Sequence, residues 1–273
     1  MAKGELKTDS KNANQSTERL FELVEFLCIQ PEPMRISDIA KGAQMNISTV
    51  HRFLTALQAK GYAVQDINTG RYSLTFKFCR LGDDIRSRTD MRSLCMPYLH
   101  TISQEFGQAV SLLMEYDMTA MALETVAGPL KTTAMQNPLG TMAGLHCTAA
   151  GKLFLTCYQS RKLEQLMAVK GLPQQTANTI TSLSQLRKEL IKVRVRGYAF
   201  DNEESEAGFR QVAAPIKDYT NQVVGAVSVR GPVTRMTDEY IEKHLQVLLS
   251  ATATVSARMG YEPAKDNTPT YRR

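Results

Sequence analysis

Ser48, Thr49, Arg52 and Thr55, with His51 beside them, gather on one side of a helical pattern running from Ile47 to Lys60. Their hydroxyl, imidazole and guanidinium groups are the kind that bonds base edges and phosphates when a helix lies in a major groove. An arginine there can bond O6 and N7 of one guanine together. Asn46 is a candidate N-cap for this helix. Ile47, Val50, Leu54 and Leu57, with Phe53 alongside, supply its apolar side. Arg35 upstream, and Asn68 and Arg71 downstream, complete a set of candidate contacts to a nucleic-acid groove or backbone. The plain alternative is a solvated polar face, as most amphipathic helices have.

Three later stretches carry other chemistry. Asn137-Pro-Leu-Gly-Thr-Met-Ala-Gly-Leu-His146-Cys-Thr-Ala-Ala-Gly-Lys152 puts a turn and small residues at a helix start. Backbone N–H groups there suit an anion, and Ala149, Ala150 and Gly151 permit close approach. Close packing of helix on sheet explains the same small residues, and the glycine spacing is not that of a Walker A loop. Arg196-Gly-Tyr-Ala-Phe-Asp-Asn-Glu-Glu-Ser-Glu-Ala-Gly-Phe-Arg-Gln211 is rich in carboxylates. It reads either as an exposed charged loop or as a set of acceptors, and no histidine stands where it would complete a metal site. In Val223-Val-Gly-Ala-Val-Ser-Val-Arg-Gly231, strand alternation puts Ala226, Ser228 and Arg230 on one face. Arg230 is suited to a carboxylate, either a ligand's or that of a nearby glutamate.

These groups need elements to hold them. A helical pattern with Leu20, Val24 and Leu27 inward is capped by Ser16 or Thr17 and ended by Pro31 and Pro33. Residues before about Gln15 read as disordered. Ser37 caps a short helix with Ile39 and Ala40 inward, and Gln44-Met45-Asn46 turns into the helix described above. Gly61 stops that helix. Two short alternating runs, with Tyr62 and Val64 in one and Tyr72 and Leu74 in the other, are joined by Asn68-Thr69-Gly70, which predicts a hairpin. The order is that of a winged helix-turn-helix. A charged helix-compatible stretch then links to a helix ending near Gly107, to strands at Val110–Met114, Met121–Val126 and 131–135, and to helices at Thr148–Tyr158, from Ser160, and at Ser182–Arg196. Strands at Gln211–Ile216 and Val223–Val229 and a helix from Asp238 to Met259 close the pattern, before a loose tail at 265–273.

The chain has 273 residues, enough for two cores, with 43% hydrophobic and 22% charged residues, as in ordinary globular proteins. Between Arg35 and Arg80, seven basic residues face two acidic ones, a net of +5 of the chain's +6. That concentration suits phosphate contact. Cys28, Cys79, Cys95, Cys147 and Cys157 are odd in number and lack CxxC spacing, so reduced thiols are expected rather than a disulfide framework or zinc site. Signal-peptide and membrane-span patterns are absent, and a cytoplasmic location is expected. His146 and Cys147 are adjacent and so do not face one another, and no nucleophile elbow is present. The chain is therefore not expected to be an enzyme. The rival expectation is a ligand-sensing module or enzyme whose winged helix contacts protein.

Four blocks, in order, resemble the IclR (isocitrate lyase regulator) family of bacterial transcription regulators. They are ISDIAKGAQMNISTVHRFLTALQAKGY, LHCTAAGKLFL, RGYAFDNEESEAGFRQVAAPI and GAVSVRGPVTRMT, and the likeness runs from about Ser16 to Tyr261. The resemblance implies an α+β protein. Residues 14–76 would form a winged helix-turn-helix, 77–93 a linker helix, and 94–262 a GAF-like α/β domain with a mainly antiparallel sheet. It also implies a homodimer or tetramer on palindromic operator DNA, no cofactor and no metal, and a small effector such as an organic or sugar acid. By position, the effector site would include Ala149, Ala150, Asp201, Gln211, Ser228 and Arg230, with Met135, Leu139 and Leu145 as its apolar wall. Gln211 stands where many members have cysteine, and Arg230 where many have a small hydroxyl residue. The resemblance thus implies a ligand-responsive regulator, expected to repress a catabolic operon.

Overall fold

The computed structural model describes residues 6–88, 90–129 and 139–263. Within it the chain divides into two compact units, Met1–Thr89 and Asp90–Arg273. The expected strand at 131–135, with Met135, and the tail at 265–273 lie outside the described residues.

In the first unit, α1 (Leu6–Cys28), α2 (Ile36–Gly42) and α3 (Ile47–Ala59) pack around Leu23, Leu27, Ile39, Val50, Phe53 and Leu54. The hairpin of β1 (Ala63–Gln65) and β2 (Tyr72–Leu74) and the helix α4 (Lys77–Arg88) complete it. The stretch read as disordered up to Gln15 is helical from Leu6, so Ser16 and Thr17 lie inside α1 rather than at its cap. Once a nucleus exists, each added turn costs little, and polar residues can carry it.

Ser37 does not cap α2. Arg35 holds the N-cap position without a side-chain cap bond, because Met34 pairs with Tyr72 through two backbone bonds and the chain passes from that bridge directly into the helix. Ile47, expected in the core, is 55% exposed, and Met45 in the turn is buried instead. In β1 it is Ala63 that turns inward, while Val64 is exposed.

In the second unit, α5 (Met91–Phe106) starts at Asp90, whose carboxylate accepts from the N–H groups of Arg92 and Ser93. Residues 91–93, expected to end the linker helix, therefore begin a new one. The remaining strands are β3 (Ala109–Tyr116), β4 (Thr119–Val126), β5 (Met142–Gly144), β6 (Ala199–Asn202), β7 (Phe209–Lys217) and β8 (Val223–Pro232). They form one sheet in the order β5-β4-β3-β8-β7-β6, with every neighbouring pair antiparallel.

α5 and α9 (Asp238–Arg258) cover one face of the sheet, over Val110, Leu112, Val212, Ala214, Val227 and Val229. α6 (Ala149–Leu155), α7 (Ser160–Val169) and α8 (Leu183–Arg196) cover the other, over Leu113, Ala213 and Ala226. The alternation predicted for β8 thus separates Ala226 and Ser228 from Val227 and Val229. Short β5 and acidic β6 carry no apolar run that sequence periodicity would find.

Every residue of α6 is buried. Its close approach to the backbone that leads into it rests on Gly151: a Cβ there would stand 2.4 Å from both Cα and O of Leu145, which are backbone atoms, and 2.6 Å from the Thr148 hydroxyl that caps the helix. Gly151→Ala is expected to destabilise the second unit by about 2–3 kcal/mol, the scale of an overpacked core. An unchanged urea midpoint would contradict that close approach.

Candidate functional site

In the first unit the short turn between α2 and α3 sets the polar face of α3. Gln44 adopts a left-handed φ of 54°, and Met45 inserts into the core behind it. Ser48, His51, Arg52 and Thr55 are then exposed, and Thr49 is half-buried. Arg52 donates from Nη2 toward the Ser16 hydroxyl at 3.5 Å, and its guanidinium lies 5.4 Å from the Phe53 ring centroid. Thr55 donates its hydroxyl to the His51 carbonyl.

The wing is held by Asp66. Its carboxylate accepts from the Asn68 and Thr69 N–H groups and the Thr69 hydroxyl at 2.7–3.0 Å, and these bonds keep its pKa below the usual range. Arg71 reaches back to the Pro33 carbonyl at 3.1 Å and braces the hairpin base. Asn68 and Arg35 are exposed. The wing tip also presents Ile67, 95% exposed, which the sequence pattern did not single out.

In the second unit, strand register aligns the other candidates. Asp201 pairs with Gln211, Gln211 with Arg230, and Ser228 with Ser111. Period-two alternation puts all of them on the α6-covered face. There a hydrogen-bond chain crosses three strands. The Ser228 hydroxyl donates to Gln211 Oε1 at 3.2 Å, Gln211 Nε2 donates to Ser205 Oγ at 3.3 Å, and Ser205 Oγ donates to Asp201 Oδ2. Asp201 Oδ1 accepts from the N–H groups of Glu204 and Ser205. The direction of the chain follows from donor and acceptor types alone.

Next to this chain lies Lys152, whose side chain is 1% exposed. Its Nζ donates to the Phe200 carbonyl at 2.9 Å and to Glu204 Oε1. Burial raises the pKa of Asp201, against the pull of Ser205 and two N–H groups. Burial likewise raises that of Glu204, against Lys152. Burial pushes His146 below its usual range, so the neutral ring donates from Nε2 to the Pro173 carbonyl at 3.0 Å. The Cys147 thiol is pushed up to about 12, mainly by burial, and stays protonated at neutral pH.

Leu145, Ala149 and Ala150 are buried against the same face. Leu139 is exposed. Arg230 forms an ion pair with Glu206, and its guanidinium lies 4.5 Å from the Phe209 ring centroid. The structure therefore brings Asp201, Gln211, Ser228 and Arg230 to one side of the sheet with α6. It adds Ser111, Ser205 and Lys152, which the sequence left unassigned, and Glu204, one of the acidic stretch's candidate acceptors. Ser111 was findable, since it alternates with Leu113 on β3. Among the described residues, no group of three or more His, Cys, Asp or Glu could hold a metal, and no helix is long and apolar enough to cross a membrane.

Family profiles match both units: the IclR helix-turn-helix domain over residues 16–66, and the bacterial transcriptional regulator IclR C-terminal domain over 84–257. The chain belongs to the IclR family. An uncharacterized HTH-type transcriptional regulator of Haemophilus influenzae is 31% identical over 91% of this chain and 94% of its own length. The transcriptional repressor IclR of Escherichia coli is 28% identical over 90% of each chain. The crystal structure of Thermotoga maritima IclR is 30% identical, with a TM-score of 0.60 over 90% of this chain and 99% of that one. As an IclR-family transcription regulator, the protein joins a DNA-binding helix-turn-helix to a ligand-sensing C-terminal domain.

Within that sensing domain Lys152 is the cation that two buried carboxylates require. Lys152→Met is expected to cost about 3–5 kcal/mol, as for a buried pair that loses one partner. Lys152 pulls the pKa of both carboxyls down against burial, so without it both rise further. The variant then binds more protons folded than unfolded, and its stability falls as pH rises from the ordinary carboxylate range through the raised folded pKa. The deficit should accordingly be larger at pH 8 than at pH 5. A deficit independent of pH, measured by urea titration, would sink this assignment.

Proposed function

We propose that the protein is a cytoplasmic repressor of a catabolic operon, without enzymatic activity or cofactor, gated by a small acid. The reader lies within residues 14–76 and the sensor within 94–262, joined through the helix Lys77–Arg88. A homodimer or tetramer matches its two-fold symmetry to palindromic operator DNA. Repression is the sign carried by the name of the Escherichia coli relative.

The reader's role is supported by one observation above others: α3 presents Ser48, His51, Arg52 and Thr55 together to solvent. In this reading those residues and Thr49 meet the major groove, while Arg35, Asn68 and Arg71 lie along the backbone and adjacent groove. The weak bond from Arg52 to Ser16 is easily exchanged for a base. Arg52→Ala should cut specific affinity by about 1–3 kcal/mol, the worth of a bidentate base contact, without changing the melting temperature. Wild-type affinity should also fall steeply with salt, since phosphate contacts release counterions. Gel shifts on DNA flanking the protein's own coding region check both, and an Arg52→Ala protein that shifts this DNA as tightly as wild type contradicts the base contact.

The sensor's role is supported by the row of Gln211, Ser228 and Arg230 on the face under α6. Arg230 takes the effector's carboxylate, the Gln211 amide and Ser228 hydroxyl its other polar groups, and Leu145, Ala149, Ala150, Leu139 and Met135 its carbon skeleton. Asp201 acts from behind, through Ser205. A calorimetric screen of organic and sugar acids should yield a binder whose affinity drops at least about tenfold with Arg230→Ala, in line with a charge-assisted bond. Unchanged affinity would remove the carboxylate contact.

A further inference from the structure

The place that Arg230 offers a carboxylate is already taken by one from this chain. Glu206 forms an ion pair with the Arg230 guanidinium. The two partners are unequal: the arginine side chain is 12% exposed and rests on Phe209, whereas that of Glu206 is 53% exposed.

The backbone around Glu206 is pinned independently of that pair. The Glu204 and Ser205 N–H groups bond Asp201, and Gly208 N–H donates to the Glu203 carboxylate at 2.8 Å. The hydroxyls of Thr176 and Thr179 donate to the carbonyls of Glu203 and Glu204, each at 2.6 Å. Glu203 itself holds a left-handed φ of 57°. The loop from Glu203 to Gly208 thus keeps its course whether or not Glu206 touches Arg230. Rotation of the glutamate side chain opens this position on the guanidinium, which can then donate to another carboxylate. In the exchange the half-exposed Glu206 carboxylate passes into water while the arginine keeps a carboxylate partner.

We propose that Glu206 is a resident carboxylate that competes with the effector for Arg230 and so sets the effector concentration to which the protein responds. The proposal rests on Arg230 as the effector's carboxylate contact. It predicts that an acid too weak to displace Glu206 leaves the sensor unoccupied, which makes Glu206 a determinant of both affinity and selectivity.

The test uses the full-length protein and sodium acetate as the probe, against sodium chloride of equal ionic strength. Melting temperature is followed through an acetate titration of wild type, Glu206→Gln, and Glu206→Gln combined with Arg230→Ala. The Glu206→Gln substitution keeps the side chain's shape and removes its charge, and each variant's melting temperature in chloride is its own reference. Stabilisation by acetate is expected at about one tenth of the wild-type concentration in Glu206→Gln, because a neutral acceptor holds a guanidinium less strongly than a charged one. The combined variant should not respond. Equal acetate concentrations in wild type and Glu206→Gln, no response in either, or a response that survives Arg230→Ala would each overturn the proposal. The underlying reading is checked separately. An organic acid that needs Arg230 but binds no tighter to Glu206→Gln leaves the contact standing and removes the competitor. An acid indifferent to Arg230 removes the contact itself.

Discussion

A lysine ammonium shut off from water must be surrounded by acceptors, and the way Lys152 finds them organises the sensing domain. Its Nζ reaches the Phe200 carbonyl on β6 and the Glu204 carboxylate beyond the end of that strand. One side chain thereby ties α6 to the edge strand and to the following loop. The tie is possible because Gly151 lets α6 lie against the backbone at Leu145. Removing either feature leaves buried charge without a partner or backbone without room, which are among the costliest defects in a folded protein.

From that anchor the polar row follows. Asp201 is satisfied by Ser205 and two N–H groups, so it serves as the turn's internal cap. Ser205 then orients the Gln211 amide, and Gln211 accepts from Ser228. Each group is fixed by the one behind it, which is how a binding surface holds its donors and acceptors in advance of a ligand. The DNA-binding unit uses the same device on a smaller scale: Asp66 fixes the wing turn, and Arg71 ties the hairpin base to the Pro33 carbonyl.

Much of the fold was legible from period and punctuation. The helix stop at Gly61, the hairpin turn at 68–70 and the outward face of α3 follow local rules that neighbours in space did not override. The misreadings share one cause. Ser37 looks like a cap, but the Met34–Tyr72 bridge chooses Arg35. Ile47 looks like core, but Met45 takes the interior position. The acidic stretch after Phe200 looks like a solvated loop, yet Asp201 and Glu204 are buried, because Lys152, Thr176 and Thr179 come to meet them from distant parts of the chain.

By itself the sequence determined the class of protein: two cores, a basic helix-turn-helix segment, a sheet-forming domain and the family to which they belong. It also determined the strand alternation that sets Ala226, Ser228 and Arg230 apart from Val227 and Val229. Only the tertiary structure decided which of the polar residues bond one another. Arg230 and Glu206 are 24 residues apart, and Lys152 and Glu204 are 52 apart. Pairing at such separations depends on strand order and helix placement, and a charge's environment is set by what surrounds it in space rather than by its neighbours along the chain.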